Sequence, residues 1–229
     1  MTRHGAVLAA LIARELEAAA APVRVLDAAC GTGTQALPLA AQGFHVIARD
    51  VSPSALGRLR REAAARGLTL DVAVADMRDV VRTLTAPVDV VVALDNAVPH
   101  LLSDPEIELA FQQFRTALRP GGVCLCSVRD YDTVERGVPL ALTYGERRRG
   151  SDVFRPRQEW AWDGTTHYRV TFIIDKDGDA GPTTVLRVAT RYYAVGIARL
   201  LDLMARAGFV DCRRLDAGFY QPILIGRAR

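Results

Sequence analysis

Asp27, Asp50, Asp76 and Asp95 each follow a short apolar run, and the first of them leads into Ala-Ala-Cys-Gly-Thr-Gly, with glycines at Gly31 and Gly33. A carboxylate and bare backbone at the mouth of a parallel sheet lie where nucleotide-like cofactors bind. A glycine carries no Cβ, so backbone N–H groups beside it approach a bound molecule closely. A carboxylate four residues before the first glycine suits a cation such as an ammonium group and repels a pyrophosphate. Asp50, at the end of the next apolar run, offers two oxygens to the paired hydroxyls of a ribose. Gly31-Thr-Gly33-Thr-Gln-Ala36 also fits the looser dinucleotide fingerprint, so the glycine spacing alone leaves a nicotinamide cofactor open. The plainest alternative is a solvated Asp27 at a tight strand-to-helix turn.

Bringing four acids together requires parallel strands that end on one edge of a sheet, where open α/β folds bind their ligands. The pattern supplies such strands. An alanine- and leucine-rich helix is predicted over 6–20, before Pro22, then strands at about 23–28, 44–48, 70–75, 88–94 and 123–128. Helices are predicted over 34–41, with Pro38 in the first turn and Gly43 ending it, and over 53–66, with Ser52 as N-cap, Pro53 at N1 and Gly67 beyond the end. Asp104-Pro105-Glu106 opens another helix through Leu118. Strands and helices alternating at this spacing predict an α/β fold with a Rossmann-like, doubly wound, mostly parallel seven-stranded sheet. A helix over 196–207 and strands at 209–215 and 221–226 close it. The pattern changes at Asp130. An antiparallel β insertion at about 133–193 is expected to cap one edge of a single domain, 1–229. Within it, 133–156 shows weak periodicity, and strands at 158–174 and 183–193 flank a turn.

The chain has 229 residues, half of them hydrophobic, and can bury a sizeable core. No apolar run reaches 18 residues and the N-terminal stretch is unlike a signal peptide, so a soluble, cytoplasmic protein with no membrane partner is expected. The formal charge is only +3. Arg147, Arg148 and Arg149 form the one tight basic cluster, read as a solvated loop rather than a nucleic-acid footprint. Cys30, Cys124, Cys126 and Cys212 lack metal-binding spacing and read as reduced thiols, with Cys124 and Cys126 on one strand face.

The run from Arg24 to Gly33 resembles the first motif of class I S-adenosylmethionine-dependent methyltransferases. Asp95-Asn96-Ala97-Val98-Pro99-His100-Leu101 is similar to the Gly-Asn-Ser-x-x-His-Leu segment of glycine N-methyltransferase-like enzymes. Arg119-Pro-Gly-Gly122 and Arg129-Asp130-Tyr131-Asp132 are similar to their Arg-Pro-Gly-Gly and Arg-Asn-Tyr-Asp. The resemblance covers about residues 23 to 132 and implies S-adenosylmethionine as cofactor. It implies contacts from Asp27, Ala29, Gly31, Gly33, Asp50, Val51, Asp76, Met77, Leu94 and Asn96, with Asp76 on the adenine amino group and the Met77 N–H on the ring. It further implies methyl transfer to a small molecule, an amine nitrogen being favoured over an oxygen, with no nucleic-acid partner and no metal. Asn96, His100, Arg129 and Arg191 are the expected acceptor-binding residues. His100, Asp130, Tyr131 or Asp95 would take a proton.

Two positions depart from the family pattern: Asp130 stands for an asparagine and Asp95 for a glycine. The relatives also carry a longer segment before the first strand, and the lid it forms is either absent here or supplied by 133–170. Bland readings stay open beside these. Asp76 caps a helix, His100 is a satisfied structural histidine, and Arg129 and Arg191 pair with Asp130 or Asp132. Trp160, Trp162, Tyr168 and Phe172 are core residues on one strand face. A nicotinamide-dependent oxidoreductase and a non-catalytic binding subunit are the competing functions, and oligomeric state is left open.

Overall fold

Val88–Ala93 is buried along its whole length, and its valines suit a strand covered on both faces. Around it the computed structural model, which describes residues 3–16, 22–178, 181–216 and 218–229, arranges five helices and twelve strands. In chain order the first half comprises α1 (Arg3–Glu15), β1 (Arg24–Asp27), α2 (Ala36–Ala40), β2 (His45–Asp50), α3 (Pro53–Ala65), β3 (Asp71–Val74), β4 (Val88–Ala93), α4 (Asp104–Ala117) and β5 (Leu118–Ser127). The second half comprises β6 (Leu140–Thr143), β7 (Arg147–Arg149), β8 (Asp152–Asp163), β9 (His167–Lys176), β10 (Thr183–Tyr193), α5 (Ile197–Arg206), β11 (Phe209–Leu215) and β12 (Ile223–Ala228).

The chain divides into two compact units, one of residues 1–98, 103–130 and 196–229 and the other of 99–102 and 131–195. The first holds a seven-stranded sheet in the order β11-β12-β5-β4-β1-β2-β3. Pairs among β1 to β5 are parallel, and β12 runs antiparallel to both β5 and β11. This is the predicted doubly wound arrangement. One face of the sheet packs Val25, Val46, Val90 and Val92 against Leu8 and Ile12 of α1, Leu37 of α2 and Leu56 and Leu59 of α3. The Ser52 hydroxyl accepts from the Ala55 N–H at 3.3 Å, the predicted cap of α3.

Residues 17–21, which the sequence adds to the first helix, lie outside the described residues. Cys30, Cys124 and Cys126 are buried free thiols, and the last two sulfurs sit 3.8 Å apart, as a shared strand face requires.

The second unit is a separate antiparallel sheet in the order β10-β9-β8-β6, with β7 also on β8. Two expectations need correcting here. The stretch 158–174 is not one strand: β8 ends at Asp163, Gly164 turns at φ +69°, and β9 starts at His167. The Asp-Gly turn signal was hidden by apolar alternation continuing on both sides of it. Residues 133–156 are not irregular either, since they supply β6, β7 and the start of β8. Pairing with β8 holds these short, exposed strands, and no local hydrophobic period marks them.

The aromatic residues share a face through cross-strand register rather than along one strand. Trp162, Tyr168 and Tyr192 form one row, Tyr168 stacks on Trp160 at 4.6 Å, and Trp160 and Tyr168 are buried in this unit's core. Phe172 is only half-buried. Among the described residues no helix is long and apolar enough to cross a membrane.

Candidate functional site

The parallel register of β1, β2 and β4 places their carboxyl ends side by side, and this alone gathers the acids. Asp27 ends β1 and Asp50 ends β2, while Asp95 follows β4 by two residues. Asp27 is buried, and its carboxylate accepts from the Ala29 N–H. Burial pushes its pKa up to about 8, and the nearby negative charges of Asp95 and Asp50 push in the same direction. A buried acid crowded by two others is a place where a cation is stabilised.

The glycine bend is stitched to the strands on either side. The Ala28 N–H donates to Val92 O and the Cys30 N–H to Arg49 O, both at 2.9 Å. The Gly31 N–H donates to Asp50 Oδ2 at 2.8 Å and the Ser52 N–H to Asp50 Oδ1 at 2.9 Å. Asp50 therefore braces the loop and still has two of its roughly four lone-pair sites for ligand hydroxyls.

Gly31 has φ +51°, and a Cβ added there would meet nothing within 4 Å, so the space beside it is open. Gly33, at φ +92°, is different. A Cβ there would collide with Leu59 Cδ1 and lie 3.1 Å from Leu37 Cγ, so this glycine serves close packing on α2 and α3. Burial, with Asp27 and Asp50, raises the Cys30 thiol pKa, which leaves it protonated and no nucleophile.

Val51 is exposed, an apolar side chain at the mouth of the site, and Met77 is half-buried. Asp76 does not cap a helix. Its Oδ1 accepts from the Arg78 N–H at 2.8 Å and from Arg78 Nε at 2.9 Å, and its Oδ2 from Arg78 Nη2 at 2.6 Å. The guanidinium holds Asp76 below the usual carboxylate range and leaves it less spare capacity than Asp50.

Leu94 and Asn96 are buried. Asp95 and Asn96 both adopt left-handed backbone, at φ +58° and +64°, so the aspartate that replaces the family's glycine takes the conformation glycine favours. Ser127, fully buried at the end of β5, anchors this turn. Its Oγ accepts from the Asp95 N–H at 2.8 Å and donates to Gln221 Oε1 at 3.1 Å, and its carbonyl accepts from the Asn96 N–H at 3.0 Å. Asn96 Oδ1 in turn accepts from the Arg129 N–H at 3.0 Å.

The remaining expected residues are placed as follows. Asp130 bonds Arg214 at 2.8 Å. In the second unit, His100 Nδ1 lies 3.2 Å from Thr190 Oγ1 and its ring lies 4.1 Å from that of Tyr192. Tyr131 is fully buried with its hydroxyl 2.8 Å from that of Tyr168, so we do not carry it forward as a proton acceptor. Arg191 pairs with Asp163, and not with Asp130 or Asp132 as the sequence alternative had it.

Residues 25–122, which include this edge of the sheet, match the family described as a methyltransferase domain. That stretch, rather less than half of the chain, is similar to methyltransferase domains. A glycine/sarcosine N-methyltransferase of Parasynechococcus marenigrum is 31% identical over 149 residues, which is 65% of this chain and 52% of the relative. A tRNA 5-carboxymethoxyuridine methyltransferase of Escherichia coli is 36% identical over 103 residues, 44% of this chain and 38% of the relative. The chain spans about half to three fifths of the glycine/sarcosine N-methyltransferases it matches.

Among solved structures, the amino pentose methyltransferase CalS10 of Micromonospora echinaspora superposes with TM-score 0.82 over 100% of this chain and 92% of its own, at 19% identity. That likeness shows a shared fold. S-adenosylmethionine is the methyl donor of the family. The residues at this edge of the sheet fit such a donor, since Asp27 is a buried acid in want of a cation, Asp50 keeps free lone pairs, and the space beside Gly31 is open.

Ser127, Gln221 and Arg78 are the residues that sequence reasoning missed. Arg78 had a local signal, two residues after an acid. Ser127 and Gln221 had none, because 94 residues separate them and only the pairing of β5 with β12 brings them together.

Proposed function

We propose that this chain transfers a methyl group from S-adenosylmethionine to an amine nitrogen of a small molecule. The observation that carries the reading is buried Asp27 with Asp50 and Asp95 close enough to act on its charge beside the glycine bend, an acidic cluster suited to an amino-acid cation. The bound donor supplies an electrophilic methyl group on a positively charged sulfur. Asp27 would hold the ammonium group, Asp50 the ribose hydroxyls, Asp76 the adenine amino group and the Met77 N–H the adenine ring, with Val51 a further contact.

Charge moves from sulfur to acceptor in such a transfer, so the protein's contribution is alignment. Holding two reactants in attack geometry is worth roughly 7 to 11 kcal/mol. The acceptor must attack as a neutral amine, and His100 and Asp130 are the candidates for taking its proton. Asn96, whose N–H donates to Ser127 O and whose Oδ1 accepts from the Arg129 N–H, and Arg129 are the candidates for orienting it. The amine preference draws support from relatives whose names specify glycine/sarcosine N-methylation and amino pentose methylation. A second reading, an RNA acceptor, draws on the likeness to the tRNA methyltransferase, which is confined to 44% of the chain.

Calorimetry with S-adenosylmethionine and S-adenosylhomocysteine tests the cofactor, and absence of saturable binding by either defeats the proposal. Radiolabelled methyl donor offered with amino acids, amino sugars, hydroxylated metabolites and tRNA tests the acceptor. Label on tRNA or on oxygen alone would overturn the small-amine reading.

A further inference from the structure

The sheet β8–β9–β10 presents two unlike faces. Alternation puts Trp160, Tyr168 and Val170 on the side packed into this unit's core. On the other side Ala161, Arg169 and Arg191 form one cross-strand row, with Asp163 two residues along β8 and Ala189 two residues along β10. A cleft of about 570 Å³ lies over this row, lined by Ala161, Asp163, Arg169, Ala189 and Arg191 and by the chain at Trp162 and Thr190.

Like charges directly opposed across two strands destabilise a sheet. Arg169 and Arg191 are so opposed. Asp163 pairs with Arg191, and no ion pair to Arg169 forms among the described residues. The lining therefore carries two guanidinium groups against one carboxylate, and the small side chains of Ala161 and Ala189 leave the floor open. Guanidinium forks match the paired oxygens of carboxylates and phosphates.

We propose that this cleft is an oxyanion site in which Arg169 and Arg191 grip one carboxylate or phosphate group. The inference stands apart from the methyl-transfer reading, since it rests on the second unit's own residues. The anion has two possible sources, an acidic group on the acceptor or a separate small anion.

The test is calorimetry on the full chain with inorganic phosphate and with succinate, at about 20 mM ionic strength to limit screening. Saturable binding is expected with one of them, weakened roughly tenfold or more in both Arg169→Ala and Arg191→Ala, the scale of a lost charged hydrogen bond. Asp163→Asn should tighten it by freeing Arg191. These side chains are exposed, and a cooperative melt at a temperature close to or above the wild type's confirms that each variant folds. Lack of saturation below roughly 10 mM, or binding undiminished in Arg169→Ala, overturns the proposal. Competition between phosphate and the methyl acceptor would assign the anion to the acceptor, and simultaneous binding would assign it to a separate ligand.

Discussion

The backbone N–H of Gly31 donates to Asp50 Oδ2 over 2.8 Å, so the bend after β1 and the acid ending β2 are one structural piece. The same carboxylate accepts from the Ser52 N–H, which ties the bend to the start of α3 as well. A residue expected to bind ribose thus also holds the glycine bend.

Replacing Asp50 with alanine should therefore cost more than one ligand contact. We expect S-adenosylmethionine affinity to fall by about 1 to 3 kcal/mol for the unpaired hydroxyls, with some loss of stability as the Gly31 and Ser52 N–H groups lose their acceptor. Calorimetry and urea melts measure the two effects separately. Unchanged affinity would remove Asp50 from the site.

Asp27 links ligand binding to pH. Its pKa is raised from 3.8 to about 8 in the folded protein, so stability present at low pH is lost as pH rises from about 4 through about 8. Asp27→Asn removes that loss: the variant should melt at a higher temperature than the wild type at pH 9 and close to it at pH 4. It should also bind S-adenosylmethionine weakly, since the neutral amide cannot balance an ammonium group. In the wild type a bound cation favours the ionised acid, so near pH 7 binding should release a proton and the measured enthalpy should vary with buffer. A buffer-independent enthalpy contradicts this.

The two glycines of the bend should fail in different ways. Gly33→Ala forces a Cβ against Leu59 and Leu37 at φ +92°, and we expect it to destabilise the fold by roughly 1 to 3 kcal/mol. Gly31→Ala enters open space and pays only for its left-handed backbone, about 1 kcal/mol. Its methyl group should instead obstruct the donor, so that a well-folded variant no longer binds S-adenosylhomocysteine. Equal binding by Gly31→Ala and wild type would show that nothing occupies that space.

Ser127→Ala leaves the Asp95 N–H without its acceptor and Gln221 without its donor. A loss of about 1 to 3 kcal/mol is expected from denaturant melts. Because this turn also sets Asn96, the acceptor KM should rise more than the donor affinity falls. Equal effects on both would assign Ser127 a purely structural role.

The first half of the chain was legible because its rules are local. Apolar runs, Ser52-Pro53 and the glycines at the bend each specify their own element, and their order along the chain predicts that Asp27, Asp50, Asp76 and Asp95 meet at one sheet edge; of these, Asp50 and Asp95 act on the Asp27 charge, while Asp76 is held by Arg78. The resemblance around Asn96 and Arg129 pointed to the same edge. In the second unit local signals conflicted: Asp163-Gly164 turns the chain, yet apolar alternation on either side reads as one strand.

Sequence by itself determined the alternation of strand and helix and the types of the residues at the strand ends, since period and turn chemistry act over a few neighbours. Tertiary structure alone decided what each polar group touches. Asp76 meets Arg78, Tyr131 meets Tyr168, Arg191 meets Asp163, and Ser127 meets Gln221. Hydrogen bonds and charges act over a few ångströms in space, and strand pairing brings together partners such as Ser127 and Gln221 that lie 94 residues apart along the chain.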